Sequence, residues 1–470
     1  MNHNLNNLID LESTIVAIST PSGVGGIAVA RLSGPEALSI ANRIWEGVSL
    51  LNVSTHSAHL GTVKDSQGKP LDEAVATVFK GPKSFTGQDT VEFSVHGSRY
   101  VQNEIITSLV KAGARVATAG EFTRRAFLSG KMQLSEAEAV ADILVADSRA
   151  AHRIAMSQMK GSFDSNIRVL RERLVNLVAL MELELDFSEE DVTFADRTQL
   201  RENASKIKKQ IEHLLASFST GNAIANGIPV AIIGLTNAGK SSLLNALVDE
   251  DRAIVSDIHG TTRDTIEATT HLGDYLFRFI DTAGIRQSED PVEKLGIERS
   301  LAAINKAHLI LCVIDSSSSS DGLEFSKRIK KELRADQTLI MVLNKSDLQD
   351  WDNISEDVKK QLDSHYTLAV SAKKGQGINA LKQSMAEIMD IETAKAAQND
   401  VIITNQRHAQ TLRDALHATE AMINSMDAGI PADLVAQDAR AVIDILSELT
   451  GDITTDQILG TIFSRFCIGK

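Results

Sequence analysis

Residues 234–241 read Gly234-Leu-Thr-Asn-Ala-Gly-Lys-Ser241, a spacing whose chemistry is phosphate binding. Two glycines let a backbone curl until its N–H groups surround a β-phosphate, the Lys240 ammonium reaches the β and γ oxygens, and the Ser241 hydroxyl can ligate Mg²⁺. The apolar run 229–233 before the loop and the helical pattern 242–247 after it supply the strand and helix that such a loop needs. The chain is therefore read as binding a nucleoside triphosphate.

Four further segments follow in the order of a Ras-like GTPase. Gly260-Thr-Thr-Arg-Asp264 offers Thr262 as a second Mg²⁺ ligand sensitive to the γ-phosphate, as in a switch I. A strand over 275–280 runs into Asp281-Thr-Ala-Gly284, where Asp281 can hold the Mg²⁺ shell and the Gly284 N–H can meet the γ-phosphate. After the apolar strand 339–343 comes Asn344-Lys-Ser-Asp347, and the Asp347 carboxylate can accept from guanine N1 and N2, a donor pair that adenine lacks. Ser371-Ala-Lys373, after a strand over 368–370, can offer a backbone N–H to guanine O6. The nucleotide-contacting set is thus Asn237, Ala238, Gly239, Lys240, Ser241 and Ser242, with Gly260, Thr261 and Thr262, then Asp281, Thr282, Ala283 and Gly284, then Asn344, Lys345, Ser346 and Asp347, and finally Ser371, Ala372 and Lys373.

These segments must be held by about three domains, since 470 residues are too many for one core. Residues 13–119 mix β-like runs at 14–18, 27–32 and 91–95 with short helices, an α+β pattern. The Gly23-Val-Gly-Gly26 cluster lacks dinucleotide-fingerprint spacing and reads as a tight turn. From Ser135 the pattern turns helical. Ser135-Glu-Ala-Glu138 reads as a capping box, and a helix over 165–187 carries an apolar stripe of Ile167, Leu170, Leu174, Leu177 and Met181. Helical patterning resumes at 434–449 and again at 455–466, where Ile458, Ile462 and Phe466 recur every four residues. The simplest arrangement inserts the GTPase, at about 227–390, into a helical bundle made from both flanks.

Composition narrows the rest. A net charge of −14, from 62 acidic and 48 basic residues, argues against a generally cationic surface, so any RNA contact is local or carried by a partner. Two cysteines provide no disulfide framework; Cys312 falls inside an apolar strand and reads as core, whereas Cys467 is either a nucleophile or an exposed thiol. No apolar run has membrane-spanning length and the polar start resembles no targeting segment, so a cytoplasmic location with no membrane contact is expected. The run of serines at 316–320 reads as a solvated loop, with a phosphorylation site as the alternative.

Taken with Thr20-Pro-Ser-Gly-Val-Gly-Gly26 and Arg31, Ser84-Phe-Thr-Gly-Gln-Asp89, Gly120-Glu-Phe-Thr-Arg-Arg-Ala-Phe127 with Lys131, and the terminal Phe466-Cys-Ile-Gly-Lys470, the whole chain resembles the bacterial tRNA-modification GTPase family MnmE, also called TrmE. The resemblance implies a multidomain α+β and α/β protein: an N-terminal α+β domain over 1–125 that dimerises and binds formyl-tetrahydrofolate, a helical domain over 126–224 and 391–470, and an inserted Ras-like domain over 225–390. It implies a homodimer that works with a FAD-dependent partner, MnmG, in a heterotetramer. The pair adds an aminomethyl or carboxymethylaminomethyl group to C5 of the wobble uridine of tRNA. 5-Formyltetrahydrofolate or a related reduced folate supplies one carbon, in a site implied to be lined by Arg31, Glu92, Lys131 and Lys470.

The same resemblance implies GTP hydrolysis assisted by K⁺ rather than by an arginine finger. Asn237 would ligate it by its side chain, with backbone oxygens of Ser256, Ile258 and Thr261 in the switch I loop, where Asp257 and His259 also meet the nucleotide. By its residue type alone Asn237 reads rather as a loop asparagine bonding its own backbone. Ile285 stands where Ras has its glutamine, so the implied water-positioning residue is Glu293, with Lys240 and Thr262 as the other catalytic groups. Thr236 replaces the proline usual in the family's loop, which softens it by ~0.5 kcal/mol. The rival reading is an RNA-binding or ribosome-assembly regulatory GTPase, although such proteins usually append a basic domain and this chain ends in acidic helices.

Overall fold

The computed structural model describes residues 11–186, 197–248, 268–280, 301–316, 319–348, 366–397, 401–452, 456–464 and 466–469. The chain groups into two compact units, Met1–Ala141 with Ser447–Lys470, and Asp142–Leu446.

The first unit is built on a seven-stranded sheet of β1 (Ile15–Ile18), β2 (Gly25–Ser33), β3 (Trp45–Glu46), β4 (Ser57–Lys64), β5 (Pro70–Phe79), β6 (Thr90–Gly97) and β7 (Arg115–Val116), in the spatial order β3-β4-β5-β6-β2-β1-β7. Only β1 and β7 pair in parallel. Alternation along β2 explains its two faces: Ala28, Ala30 and Leu32 enter a core with α1 (Ala37–Arg43) and α2 (Arg99–Lys111), while Val29 and Arg31 face the other way. Of the glycine cluster at 23–26 only Gly23 lies in a bend; Gly25 and Gly26 already belong to β2, with Gly25 paired to Gly97, so the tight-turn reading holds only at the start of the cluster. Two more helices follow, α3 (Glu121–Leu128) and α4 (Leu134–Val145). The capping box is displaced, because α4 starts before Ser135. Gln133 N–H donates to Glu136 Oε2 at 2.8 Å, and Ser135 and Glu138 lie buried inside the helix.

The second unit begins with α5 (Arg149–Met159), whose cap residue Ser148 accepts from Ala151 N–H, then α6 (Ser162–Asp186), α7 (Arg197–Ala216) and α8 (Phe218–Ala225). All five residues of the apolar stripe on α6 are buried. The nucleotide domain follows with β8 (Ile228–Gly234), α9 (Lys240–Leu247), β9 (Ala268–Leu272), β10 (Tyr275–Phe279), β11 (Leu309–Asp315), α10 (Ser319–Glu332), β12 (Thr338–Asn344), β13 (Thr367–Ala369) and α11 (Ile378–Ala396). Its strands run β13-β12-β11-β8-β10-β9, all parallel except the edge strand β9. Residues alternate between two buried layers: Val230, Ile232, Leu311 and Val342 face one, and Ala231, Ile233, Cys312 and Met341 the other. This two-sided burial puts Cys312 in the core and pushes its thiol up to about 12.

Helices α12 (Gln406–Asp427) and α13 (Ala432–Thr450) return to the earlier ones, as an insertion predicts. Lys208 pairs with Glu420 at 2.9 Å, Gln158 Nε2 donates to Ile402 O at 2.8 Å, and the rings of Phe163 and His408 stack at 4.5 Å. The serine run is not one loop. Ser316 is buried and its hydroxyl donates to Lys345 O at 2.9 Å, while Ser319 opens α10.

The chain ends in the first unit. Helix α14 (Asp456–Phe463) stops earlier than its four-residue periodicity suggests, and Leu459, Ile462, Phe463 and the trailing Phe466 pack with Leu134 and Ala137. The Ile458 side chain lies outside the described residues. Ile468 bridges Ala119, and Ser19 Oγ donates to Gly469 O at 3.0 Å. Among the described residues no helix is long and apolar enough to cross a membrane.

Candidate functional site

The phosphate loop leaves the carboxyl end of β8, where the neighbouring strands β10 and β11 diverge in chain order, the place where open α/β sheets bind ligands. Each glycine answers a specific crowding. A Cβ on Gly234 would stand 2.4 Å from Val313 O, and one on Gly239, at φ +94°, would stand 2.1 Å from Asn344 Nδ2. Asn237 also holds a left-handed backbone, φ 64°, a conformation its type tolerates, and its side chain is exposed, as is that of Thr236. Lys240 Nζ donates to Gly234 O and Leu235 O, both at 2.9 Å, which centres the ammonium on the loop. Burial pulls its pKa below the ordinary lysine value. Ser241 and Ser242 occupy the exposed first turn of α9, and the Ser241 hydroxyl is a hard oxygen donor suited to Mg²⁺.

The base-reading segments are tied to that loop by one side chain. Asn344, 2 % exposed, donates through Nδ2 to Ala238 O at 2.9 Å and accepts at Oδ1 from Ala372 N–H at 3.1 Å. Asn344 therefore fixes the distance between the phosphate and base ends rather than presenting itself to solvent. Within Ser371-Ala-Lys373, read from sequence as offering a backbone N–H to guanine O6, the Ala372 N–H is directed to Asn344. Asp347 accepts from Ser371 Oγ at 2.7 Å and faces Lys374 at 3.6 Å. Donation from Ser371 holds its carboxyl below the usual range, so it is an ionised acceptor. Lys345, at φ 63°, pairs with Asp315 at 2.5 Å, and Ser346 N–H donates to Val370 O. Lys373 is exposed. Lys374 and Asp315 belong to no motif; only the place of Asp315 at the end of β11 marks it.

Thr262 and the rest of the switch I set from Ser256 to Thr261, Asp281, Thr282, Ala283, Gly284, Glu293 and Lys470 lie outside the described residues.

A second cluster lies in the first unit. Arg31 and Glu92 are direct register partners across β2 and β6, joined at 2.7 Å. The Arg31 guanidinium lies 5.6 Å from the Phe85 ring centre and 5.7 Å from that of Phe122, close enough for cation–π attraction. A carboxylate, a fixed cation and two rings are a donor set that fits a flat heterocycle bearing N–H groups. Lys131 Nζ donates to Pro82 O at 2.9 Å. Behind it Glu121 takes two bonds from Arg115 and one from Arg125, the latter a fully buried guanidinium that also donates to Gln88 Oε1. Burial alone would raise the Glu121 carboxyl, but the two arginines and the Thr118 N–H outweigh it and hold it at about 2. Gly120, at φ +66°, starts α3 where a Cβ would stand 2.7 Å from Phe463 O, so it admits the terminal segment.

Comparison with known proteins places this geometry. A family model described as "GTP-binding protein TrmE N-terminus" matches residues 14–131, and one described as "MnmE helical domain" matches 134–467. A tRNA modification GTPase MnmE of Cytophaga hutchinsonii is 46 % identical over 457 residues, covering 97 % of this chain and 98 % of that one. The protein of the same name from Parabacteroides distasonis is 46 % identical over 464 residues, covering 97 % and 100 %. A solved structure of Era with MgGDPNP and 16S ribosomal RNA nucleotides aligns at 27 % identity over 35 % of this chain and 56 % of that one, with a TM-score of 0.27, too low to bear on the argument. Identity of this extent along nearly the full length, with both family models matched, means that the chain belongs to the MnmE family of tRNA modification GTPases.

Proposed function

We propose that this chain is a K⁺-dependent GTPase that works as a homodimer with the FAD-dependent partner MnmG to modify C5 of the wobble uridine of tRNA, using a reduced-folate carbon. The observation that carries the GTPase part is the Asn344 brace, which couples a phosphate loop to a carboxylate suited to guanine. Ser241 with Thr262 would hold Mg²⁺, and Asn237 with backbone oxygens of Ser256, Ile258 and Thr261 would hold K⁺. These ions supply positive charge against the β and γ oxygens. The chain's own part is to centre the phosphates with Lys240, hold the base at Asp347 and orient water with Glu293.

The folate reading is supported by the Arg31, Glu92, Phe85 and Phe122 cluster and by Gly469 lying at Ser19, the residue after β1, which pairs with β2. Arg31, Glu92, Lys131 and Lys470 would hold the folate, which supplies a one-carbon unit. The homodimer is supported by apolar surface on this unit, where Leu60 and Val75 are paired across β4 and β5 with both side chains exposed, together with Val24 and Ile27. The domain bounds 1–125, 126–224, 225–390 and 391–470 are retained as part of this reading.

The experiment is mass spectrometry of the wobble uridine in tRNA from a strain lacking the gene, paired with phosphate release by the purified chain in K⁺ and in Na⁺ at equal ionic strength. Loss of the C5 substituent and faster turnover in K⁺ are expected. An intact substituent would refute the modification role, and equal rates the potassium role.

A further inference from the structure

The chain is acidic overall, yet no Asp or Glu occurs between Ser148 and Phe163, the stretch that forms α5. In that interval Arg149, His152, Arg153 and Lys160 are all exposed, while Ala150, Ala151, Ile154, Ala155 and Gln158 are buried. Helical spacing explains the separation. Arg149, Arg153 and Lys160 fall at i, i+4 and i+11 on one stripe, roughly 16 Å long at 1.5 Å per residue. The stripe borders an open groove of about 430 Å³ that Met156 and Ser157 complete.

Two features distinguish this face from an ordinary solvated helix. Its backbone is anchored, since Ile154 and its alanine neighbours pack into the core and the Gln158 amide is tied to Ile402 O and Thr404 Oγ1. Its charge is also only partly compensated among the described residues. Asp274, in the turn between β9 and β10, faces Arg149 at 3.6 Å and Arg153 at 3.4 Å, so a single carboxylate meets two guanidiniums, whose side chains remain 82 % and 63 % exposed. Three permanent cations against one anion leave two positive charges on a fixed stripe of a molecule whose net charge is −14. In a molecule that is acidic overall, a fixed local basic stripe is a place where a polyanion can approach.

We propose that the exposed face of α5 is a docking surface for the phosphate backbone of tRNA, with Arg149, Arg153 and Lys160 as phosphate ligands. The proposal rests on the tRNA reading above. Contacts of this kind add affinity without reading sequence, so their signature is salt dependence.

The test is fluorescence anisotropy of a labelled, unmodified tRNA transcript with the full chain over a salt series, comparing wild type with the double variant Arg153→Gln, Lys160→Gln and with Asp274→Asn. The double variant should bind about tenfold more weakly and lose between one and two units of the slope of log K against log salt, while GTP turnover without RNA is unchanged. Asp274→Asn, which removes the competing carboxylate, should bind at least twofold more tightly. Wild-type affinity and slope in the double variant would overturn the proposal. So would unchanged RNA affinity with weakened binding of the flavoprotein partner, which would make the face a protein-docking surface. A wild-type chain that binds no tRNA at any salt would also overturn the proposal, and mass spectrometry of the wobble uridine decides the tRNA reading separately.

Discussion

The nucleotide site and the Arg31 cluster are built in opposite ways. Lys240 finds its two acceptors five and six residues away, in the loop it terminates. Arg31 and Glu92 are separated by 61 residues and meet through strand register, and the Ser19 to Gly469 bond spans 450. In the first case the chemistry resides in a short backbone shape that glycine makes possible, so the same residues must recur at the same spacing. In the second it resides in topology, and side chains of ordinary type become a site only when distant strands align. The comparison predicts that the two sites fail independently.

The largest expected effect separates turnover from both binding functions. Glu293→Ala should lower GTP turnover by about 10²–10⁴ while leaving nucleotide affinity and folate affinity near wild type. A parallel loss of nucleotide affinity would make Glu293 a pocket residue instead.

Next in size is the acid response of the first unit. The folded pKa of Glu121, at about 2, lies below its ordinary value of 4.5, so its contribution is present above roughly pH 4.5 and is lost as pH falls toward 2. A difference of that size corresponds to about 3 kcal/mol. Glu121→Gln should lower stability by that order at neutral pH and flatten the acid limb below pH 4.5, read by denaturant unfolding of the full chain at several pH values. An acid limb as steep as in wild type would show that another carboxylate governs it.

The smallest effect is the sharpest test of independence. Gly120→Ala forces a Cβ into a left-handed position, costing ~1 kcal/mol or more, and toward Phe463 O. The terminal segment should become more susceptible to proteolysis and folate binding about tenfold weaker, with GTP turnover in K⁺ within twofold of wild type. A comparable fall in GTP turnover would join the two sites that the comparison keeps apart.

The same contrast explains what was legible in the sequence. The strand and helix that flank the phosphate loop, the core role of Cys312, the apolar stripe of α6 and the insertion between helical flanks all follow from local patterns. The capping box at Ser135 misread the start of α4 because a Ser with Glu three residues on also occurs inside a helix, where burial rather than capping selects it. The serine run misled because composition cannot reveal that the Ser316 hydroxyl has a carbonyl to bind. Asn344 was read as a nucleotide contact, but only the three-dimensional arrangement reveals it as a brace between two loops. Nothing local in Arg31 or Glu92 distinguishes them from ordinary strand residues; Phe85 and Phe122 beside them are visible only once the sheet forms.

Closing the first unit with residues from 447 onward has a consequence for biosynthesis. Residues 1–141 leave the ribosome on the order of ten seconds or more before their last partners are made, at ~5–20 residues per second. During that wait the surface around Ala119 and Gly120 lacks Phe463, Phe466 and Ile468. The intervening 142–446 can fold meanwhile as a unit of its own, which brings the two ends closer than an open chain of that length would. Completion of the N-terminal fold thus reports that translation has run through to the tail, and a truncated product is left with an unfinished edge at Ser19, Ala119 and Gly120 while its GTPase is already formed.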